Sequence, residues 1–208
     1  MIEKSEISQL FPHLSDELIA EIVSVAIFKE IPSGATILRA GQYVKVIPIV
    51  TQGLIKVFSR YEDKDLLLYY IQPNESCIMS FSACLKNEPS RVYAITEEDT
   101  SAILLPVEKI DQWIRQFPDF NSIFFQLYNL RYSELLETIS DLLFNKMDQR
   151  LYDYLKKKHQ LTGKNPLKIS HRQIANDMGT AREVISRVMK KLENEGKVKQ
   201  HTSSIEVF

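Results

Sequence analysis

ISHRQIANDMGTAREVISRVMKKLENEG, residues 169–196, decides the fold of the C-terminal third and guides the reading of everything before it. Two helix-start signals stand ten residues apart. Ser170 followed by Gln173 fits a capping box, in which the hydroxyl accepts from an orphan helix amide and the glutamine reaches back. Thr180 followed by Glu183 repeats the pattern just after Gly179. Between the two signals, Ile174, Ala175 and Met178 supply the apolar side of a short first helix. Gly179 gives the turn, and Ala175 is small enough to let a second helix cross closely. Val184, Ile185, Val188, Met189 and Leu192 then recur at helical spacing. The spacing predicts a helix-turn-helix whose second helix keeps Arg182, Glu183, Ser186, Arg187 and Lys190 on its outer face. Arginines near a helix N-terminus reach guanine edges in a major groove, and a carboxylate accepts from cytosine N4. An ordinary helical hairpin with a solvated face carries the same residue types, with Glu183 as a cap only. The doubled cap pattern favours double-stranded DNA as the partner.

Charge supports the same division of labour. The whole chain of 208 residues has a formal net charge of −1. Residues 146–208 hold 14 Lys and Arg against 7 Asp and Glu, whereas residues 1–145 hold 12 against 20. A basic module of +7 joined to an acidic one of −8 is the electrostatic footprint expected of a nucleic-acid-binding domain attached to another domain. No run approaches the ~18 apolar residues of a membrane span. The acidic start, MIEKSEISQLFPHL, lacks the order of a signal peptide, so a cytoplasmic location without membrane partners is expected. Two cysteines, Cys77 and Cys84, suit a reducing compartment and are too few for a zinc site.

The rest of the chain falls into three segments. Residues up to about Ile27 read as helix, with Ser15 as a cap before Leu18, Ile19, Ile22 and Val23. From Lys29 to Leu105 short apolar runs alternate with Gly, Pro and Asp/Asn turns: Ile37-Leu38, Val46 to Val50, Leu54 to Phe58 around Gly53, Leu66 to Ile71, Val92 to Ile95 and Ala102 to Leu105. That spacing predicts a β-sandwich or barrel with no long internal helix. Residues 107–115 form a short amphipathic helix. A longer helix runs from near Asp119 to about Asn145, roughly 40 Å at 1.5 Å per residue. In it Phe125, Tyr128, Tyr132, Leu135, Ile139 and Leu142 step by threes and fours, as a coiled-coil seam does. Phe124, Leu127, Leu130, Leu136 and Leu143 lie beside or behind that seam. Two apolar stripes imply that one packs on the chain's own domain and the other on a second chain, although a fully buried helix in a monomer would also need both. A further helix, Met147 to His159, opens the basic domain. Lys197 to Phe208 reads as a hairpin, a wing whose Lys199 and turn hydroxyls can meet phosphate.

In this order the elements resemble the Crp/Fnr family of bacterial transcription regulators over nearly the whole chain. Ile31-Pro-Ser-Gly-Ala-Thr-Ile-Leu-Arg-Ala-Gly41 and the run into Gly53 look like the opening of a cyclic-nucleotide-binding-type jelly roll. Leu105 through Pro118 resembles the short helix before that family's dimerisation helix, and Ile169 to Leu192 resembles its winged helix-turn-helix. The resemblance implies an α+β chain. An antiparallel jelly-roll sensor occupies residues 1–118, a dimerisation helix 119–145 and a winged helix-turn-helix 146–208. It puts Arg182, Glu183 and Arg187 at base-reading positions, and Ser170 and Arg172 at phosphate contacts. Thr180, Ser186 and Lys199 complete the expected DNA face. The implied partners are a second copy of the chain, a pseudo-palindromic DNA site and RNA polymerase.

The sensor departs from the family pattern. Ile78-Met79 aligns with the Gly-Glu pair that holds the ribose in cyclic-nucleotide-binding members, and Pro89-Ser90 with their Arg-Ser pair. Without that arginine a buried phosphate lacks its bidentate partner. Arg91 is adjacent, but a one-residue shift in a strand turns a side chain to the other face. The expected effector pocket therefore comprises Ile78, Met79, Ser80, Ser90, Arg91 and Tyr93, is apolar, and discounts cyclic AMP; the effector itself is unknown. No cofactor is evident: iron–sulfur ligation needs about four cysteines, and His13 is the sole histidine before His159. The same scarcity argues against a cupin-like metalloenzyme, and no nucleophile–base constellation suggests an enzyme. A regulator responding to thiol redox at Cys77 and Cys84, or one needing no ligand, remains compatible with the sequence.

Overall fold

Strand residues that alternate between two apolar environments organise the N-terminal half, shown here by a computed structural model. The structure describes residues 4–61, 64–144 and 146–208, and the side chains of all of these except 64 and 141–144. The chain forms two compact units. The first runs to Ser59 and resumes over Leu68–Ser133; the second joins Arg60–Leu67 to Glu134–Phe208.

Helices α1 (Lys4–Leu10) and α2 (Asp16–Val25) precede β1 (Ile27–Ile31), β2 (Thr36–Leu38), β3 (Val46–Gln52), β4 (Ile55–Tyr61) and β5 (Lys64–Ile71). Helix α3 (Ile78–Lys86) is followed by β6 (Tyr93–Thr96), β7 (Thr100–Pro106), α4 (Val107–Gln116) and α5 (Phe120–Phe144). The strands form two sheets, ordered β1-β7-β3 and β2-β6-β4-β5. Antiparallel register places Ile47 opposite Leu105 and Ile49 opposite Ile103, while Pro48 faces Leu104 and Val50 faces Ala102. Cross-strand partners share a face and neighbours alternate. Ile47, Ile49, Ile103 and Leu105 thus enter one core with Leu18, Ile22, Ile110, Trp113 and Phe120 from the helices. Val50, on the opposite face, joins Leu38, Ile55, Val57, Ile71 and Ala94 in a smaller core between the sheets.

Helix α5 carries the exposed stripe expected of it and part of the second: Leu127 is buried and Phe124 packs on the helix-side core, but Leu130 and Leu136 are exposed. Phe120, Ile123 and Leu127 are buried in the helix-side core. Phe125, Tyr128, Tyr132, Leu135 and Ile139 are all exposed, each by at least 43%. The side chain of Leu142, the sixth seam position, lies outside the described residues. Three local expectations differ. The first segment is two helices, and Ser15 makes no side-chain cap: its N–H instead donates to Asp119 Oδ2 at 2.6 Å, tying the helix start to the approach of α5. A nine-residue helix, α3, stands where only loop and strand were expected. It is too short for a periodic signal to stand out, and its C-cap Asn87 takes the left-handed conformation, φ 49°. The second cap signal also fails, as described below with the helices concerned.

Gly53, between β3 and β4, has φ +90°, and a Cβ there would lie 2.3 Å from the Asp99 carbonyl oxygen and 2.7 Å from Thr100 Cα. Gly34 has φ +79° but no heavy atom within 4 Å of such a Cβ. Gly53→Ala combines backbone strain with overpacking against main chain and should cost on the order of 3 kcal/mol. Gly34→Ala should cost only about 1 kcal/mol; urea titration of the two variants checks the contrast.

Candidate functional site

In the second unit, α6 (Met147–Thr162), α7 (His171–Asp177), α8 (Arg182–Asn194) and the hairpin β8 (Val198–Gln200) and β9 (Ile205–Val207) surround one core. Leu151 and Leu155 of α6 meet Ile174 and Ala175 of α7, Ile185, Met189 and Leu192 of α8, and Val198, Ile205 and Val207 of the hairpin. The Ser170 hydroxyl accepts from the Gln173 N–H at 3.1 Å, the predicted cap of α7. Gly179, φ +63°, makes the turn. Helix α8 begins at Arg182 behind Ala181, without a side-chain cap, so the expected Thr180–Glu183 box is not formed. The physical reason is the tight turn itself: the Thr180 N–H is drawn back to the Ala175 carbonyl at 2.9 Å, and helical geometry starts one residue later than the box requires.

A buried acceptor fixes the angle of the hairpin of helices. Asp177, 4% exposed, closes α7 and accepts from the Tyr154 hydroxyl of α6 at 2.6 Å. On the other side, the Glu193 carboxylate accepts from the Gln200 N–H and Nε2–H, both at 2.7 Å, and so ties the wing to α8. Those donors hold the Glu193 carboxyl below its usual range.

The exposed face of α8 then presents Arg182, Glu183, Arg187 and Lys190. Ser186, half-buried, is engaged by His171 Nδ1 at 3.0 Å. Between the start of α7 and the wing lies a broad groove of about 930 Å³, bordered by Lys168, Ser170, Arg172, Arg182 and residues 200–205 at the hairpin tip. Lys191 pairs with Asp148 and Lys197 with Glu195, away from the groove. Lys168, Arg172, Arg182, Arg187, Lys190 and Lys199 have no ion pair among the described residues. Their charge is uncompensated and faces outward, as a polyanion requires. Of the predicted DNA-face residues, Ser170, Arg172 and Arg182 share the groove, Glu183, Ser186 and Arg187 line the adjoining helix face, and Lys199 sits on the exposed side of β8. Thr180 lies in the turn between the helices. Lys168 and His171 were not anticipated. His171 follows the cap residue directly, and that position was the only signal in the sequence.

The sensor residues separate. A cavity of about 380 Å³ lies in the roll, and of the six expected pocket residues only Ser80 lines it. Ile78 packs on the helix-side core, and Met79 packs against both that core and the smaller one between the sheets. Tyr93 stacks on Phe58, ring centroids 5.3 Å apart; Phe58 alternates with the inward Val57, which puts this pair on the outer face of its sheet. The Ser90 hydroxyl is buried and spent on the backbone of Val92, donating to its carbonyl at 3.0 Å and accepting from its N–H at 3.1 Å. Arg91 is 76% exposed at its side chain and pairs with Glu88. The adjacent arginine therefore turns to solvent, and no bulge brings it inward. Arg131 was missed altogether. It reaches from α5 to Glu75 at 2.5 Å and lies over the Tyr69 ring, 4.3 Å from its centroid. As the only Lys or Arg in α5 it was visible in the sequence, but its partners lie 56 and 62 positions away.

The model of the cyclic nucleotide-binding domain matches residues 28–117, and that of the Crp-like helix-turn-helix domain matches residues 149–208. Among curated proteins, none matches the sequence. Among solved structures the chain is similar to a transcriptional regulator of the Crp/Fnr family from Eubacterium rectale, at 23% identity and TM-score 0.85, covering 95% of this chain and 92% of that one. It is also similar to the c-di-GMP responsive global regulator of Xanthomonas campestris (17%, TM-score 0.77, 93% and 99%). A third likeness is to a Crp/Fnr-family regulator of Thermus thermophilus (19%, TM-score 0.75, 88% and 93%).

Tyr154→Phe should destabilise the second unit by about 2 kcal/mol, the scale of a lost hydrogen bond to a buried acidic side chain. Chemical denaturation followed by circular dichroism measures it.

Proposed function

Because the chain belongs to the Crp/Fnr family of DNA-binding transcription regulators, we propose that it acts as a homodimer on a pseudo-palindromic site, gated by an effector other than cyclic AMP. Its role is regulatory and not enzymatic. Among the described residues no helix is long and apolar enough to cross a membrane. The observation that carries the DNA reading is the set of cations without an ion pair among the described residues, Arg172 and Arg182 bordering the groove and Arg187 on the adjoining exposed face of α8. Arg182, Glu183 and Arg187 on α8 read base edges, while Ser170, Arg172, Thr180 and Lys199 meet phosphates. Ser186, hydrogen-bonded with His171 Nδ1, completes the DNA face on α8. RNA polymerase is the further partner that family membership suggests.

The exposed seam of α5 supports the dimer. Phe125, Tyr128, Tyr132, Leu135 and Ile139 form one continuous apolar stripe while part of the opposite stripe is already buried on the roll. Exposed patches of this kind mark association surfaces. Pairing along α5 brings two copies of α8 to successive major grooves, about 34 Å apart.

The outward Arg91 and the self-satisfied Ser90 support an effector other than cyclic AMP, since a cyclic phosphate at Ile78, Met79 and Pro89 stays uncompensated. The Xanthomonas regulator of this fold is described as responsive to c-di-GMP, so relatives are not bound to one effector. The thiol alternative is the weaker one. Burial, with the charges of Asp111 and Glu108, pushes the Cys84 thiol up and suppresses the reactive thiolate.

Three measurements test this reading. Arg182→Ala and Arg187→Ala should each cost roughly 1–3 kcal/mol at a selected site and relax base preference, whereas Lys199→Ala weakens all sequences equally and flattens the salt slope. Unchanged selected sites for Arg182→Ala would remove α8 as the reading helix. Leu135→Glu with Ile139→Glu should sediment as monomer and bind a palindrome poorly, because facing carboxylates would be buried unpaired. Calorimetry should record no cyclic AMP binding. Binding that vanishes in Arg91→Ala would show that the clamp reforms.

A further inference from the structure

The cavity in the roll has a chemical character of its own. At about 380 Å³ it is far larger than a packing defect, and lies within the range of small-molecule sites, about 300–1,000 Å³. Register decides which side chains face it. Leu104 of β7 lines the cavity and pairs with Ile27 and Pro48; Ala102 pairs with Lys29 and Val50; Thr100 pairs with Ile31. Pro48, Leu104, Lys29 and Ile31 therefore share the face turned to the second sheet. Glu30 alternates to the opposite face with Phe28, although it too borders the cavity. From the second sheet come Leu38, Ile55, Ile71 and Ala94. The walls between the sheets are thus mainly aliphatic, no arginine lines the cavity, and Thr36, Gln42, Tyr43 and Ser80 add polar groups. At the lip stand Lys29 and Lys45, and neither has an ion pair among the described residues.

We propose that this cavity binds a small apolar carboxylic acid, the hydrocarbon lying between the sheets and the carboxylate at the lip, paired with Lys29 and drawn there also by the charge of Lys45. An amine would meet two like charges, and a neutral alcohol would leave both ammonium groups unanswered. Aliphatic walls supply most of the affinity by burial, and the lysine supplies the choice of head group. The assignment rests on the reading that an effector governs this regulator, and it names the chemistry of that effector.

The cavity also has a route to the helix that carries the exposed seam. Cys77 lines it, and the Cys77 sulfur lies 3.5 Å from the Tyr69 hydroxyl. The Tyr69 ring supports the Arg131 guanidinium, which is paired with Glu75. The Glu75 carboxylate also accepts from the Gln72 N–H at 3.0 Å, and the Glu75 carbonyl from the Val50 N–H at 3.0 Å. A ligand pressing on Cys77 and Ile71 therefore displaces groups that hold α5 to the roll.

Calorimetry on the full chain with sodium decanoate below its micellar concentration, and with 1-decanol and decylamine at equal concentration, tests the site. Decanoate should bind once per chain, at least tenfold tighter than decanol, and decylamine should give no signal. Lys29→Gln should remove that tenfold advantage and leave decanol unchanged. Ala94→Phe should abolish binding of both by filling the space. If that variant fails to fold, as circular dichroism would show, Lys29→Gln decides alone. No binding of octanoate or decanoate, or equal binding of acid and alcohol, overturns the proposal. Fluorescence anisotropy on a selected DNA site runs in parallel. DNA binding without any acid binding sinks the site and leaves the regulator reading intact. Acid binding without a change in DNA affinity keeps the site and sinks the gating.

Discussion

Burial of β3 and β7 on both faces is the constraint on which the first unit depends. Two strands with nearly unbroken apolar runs, Val46 to Val50 and Ala102 to Leu105, cannot leave either face in water. Helices α2, α4 and α5 cover one face, and the second sheet covers the other. Trp113, fully buried, anchors the helical cover and still satisfies its indole N–H on Glu21 at 2.7 Å. Because the second face is covered by short strands and small residues such as Ala94, its core is the thinner of the two, and the cavity opens there. A change that thickens one cover must be felt through the sheet by the other, since interiors this dense deform little.

In the second unit the balance lies between a compact apolar core and a shell of charge. The core is built from few residues, so its geometry relies on polar ties: Tyr154 to Asp177, Glu193 to Gln200, and Asn165, which donates to the Val207 carbonyl at 2.8 Å and accepts from its N–H at 3.0 Å. Each tie holds an element that borders the groove. Neutralising Lys191 and Lys197 locally leaves the positive potential concentrated where Arg172, Arg182 and Arg187 stand. A local positive potential of this kind speeds encounter with a polyanion and makes binding salt-dependent, even in a chain that is slightly acidic as a whole.

Arg131 joins the themes of burial and charge. A guanidinium only 9% exposed is costly to desolvate, and pairing with Glu75 together with the ring of Tyr69 offsets that cost without making the arrangement a strong source of stability. Its value is positional. The pair fixes the rotation of α5 and hence which stripe stays exposed. Burial pushes the Tyr69 phenol up, so the ring stays neutral beside the guanidinium.

Local sequence was enough to determine the succession of strand-rich segment, long helix and helix-turn-helix, the first cap at Ser170, the turn at Gly179, the exposed stripe of α5 and the outward face of α8. These features depend on residues within a turn or two of each other, where periodicity and capping act. It also put Pro89 where the family pattern has the clamp arginine, because that is a matter of which residues are present. The start of α8, the helix at Ile78–Lys86 and the membership of the pocket were decided by tertiary structure. In each case a distant or competing partner won: Ala175 for the Thr180 amide, Val92 for Ser90, Phe58 for Tyr93, the helix-side core for Ile78, and both cores for Met79. Lys29 and Lys45 come together at one cavity only in the folded roll, where the register of β1 on β7 sets the face of Lys29. Arg131 acquired its partners only when α5 closed on the loop at Glu75. Strand pairing and helix docking bring together residues separated by dozens of positions, and no local pattern encodes which of them will meet.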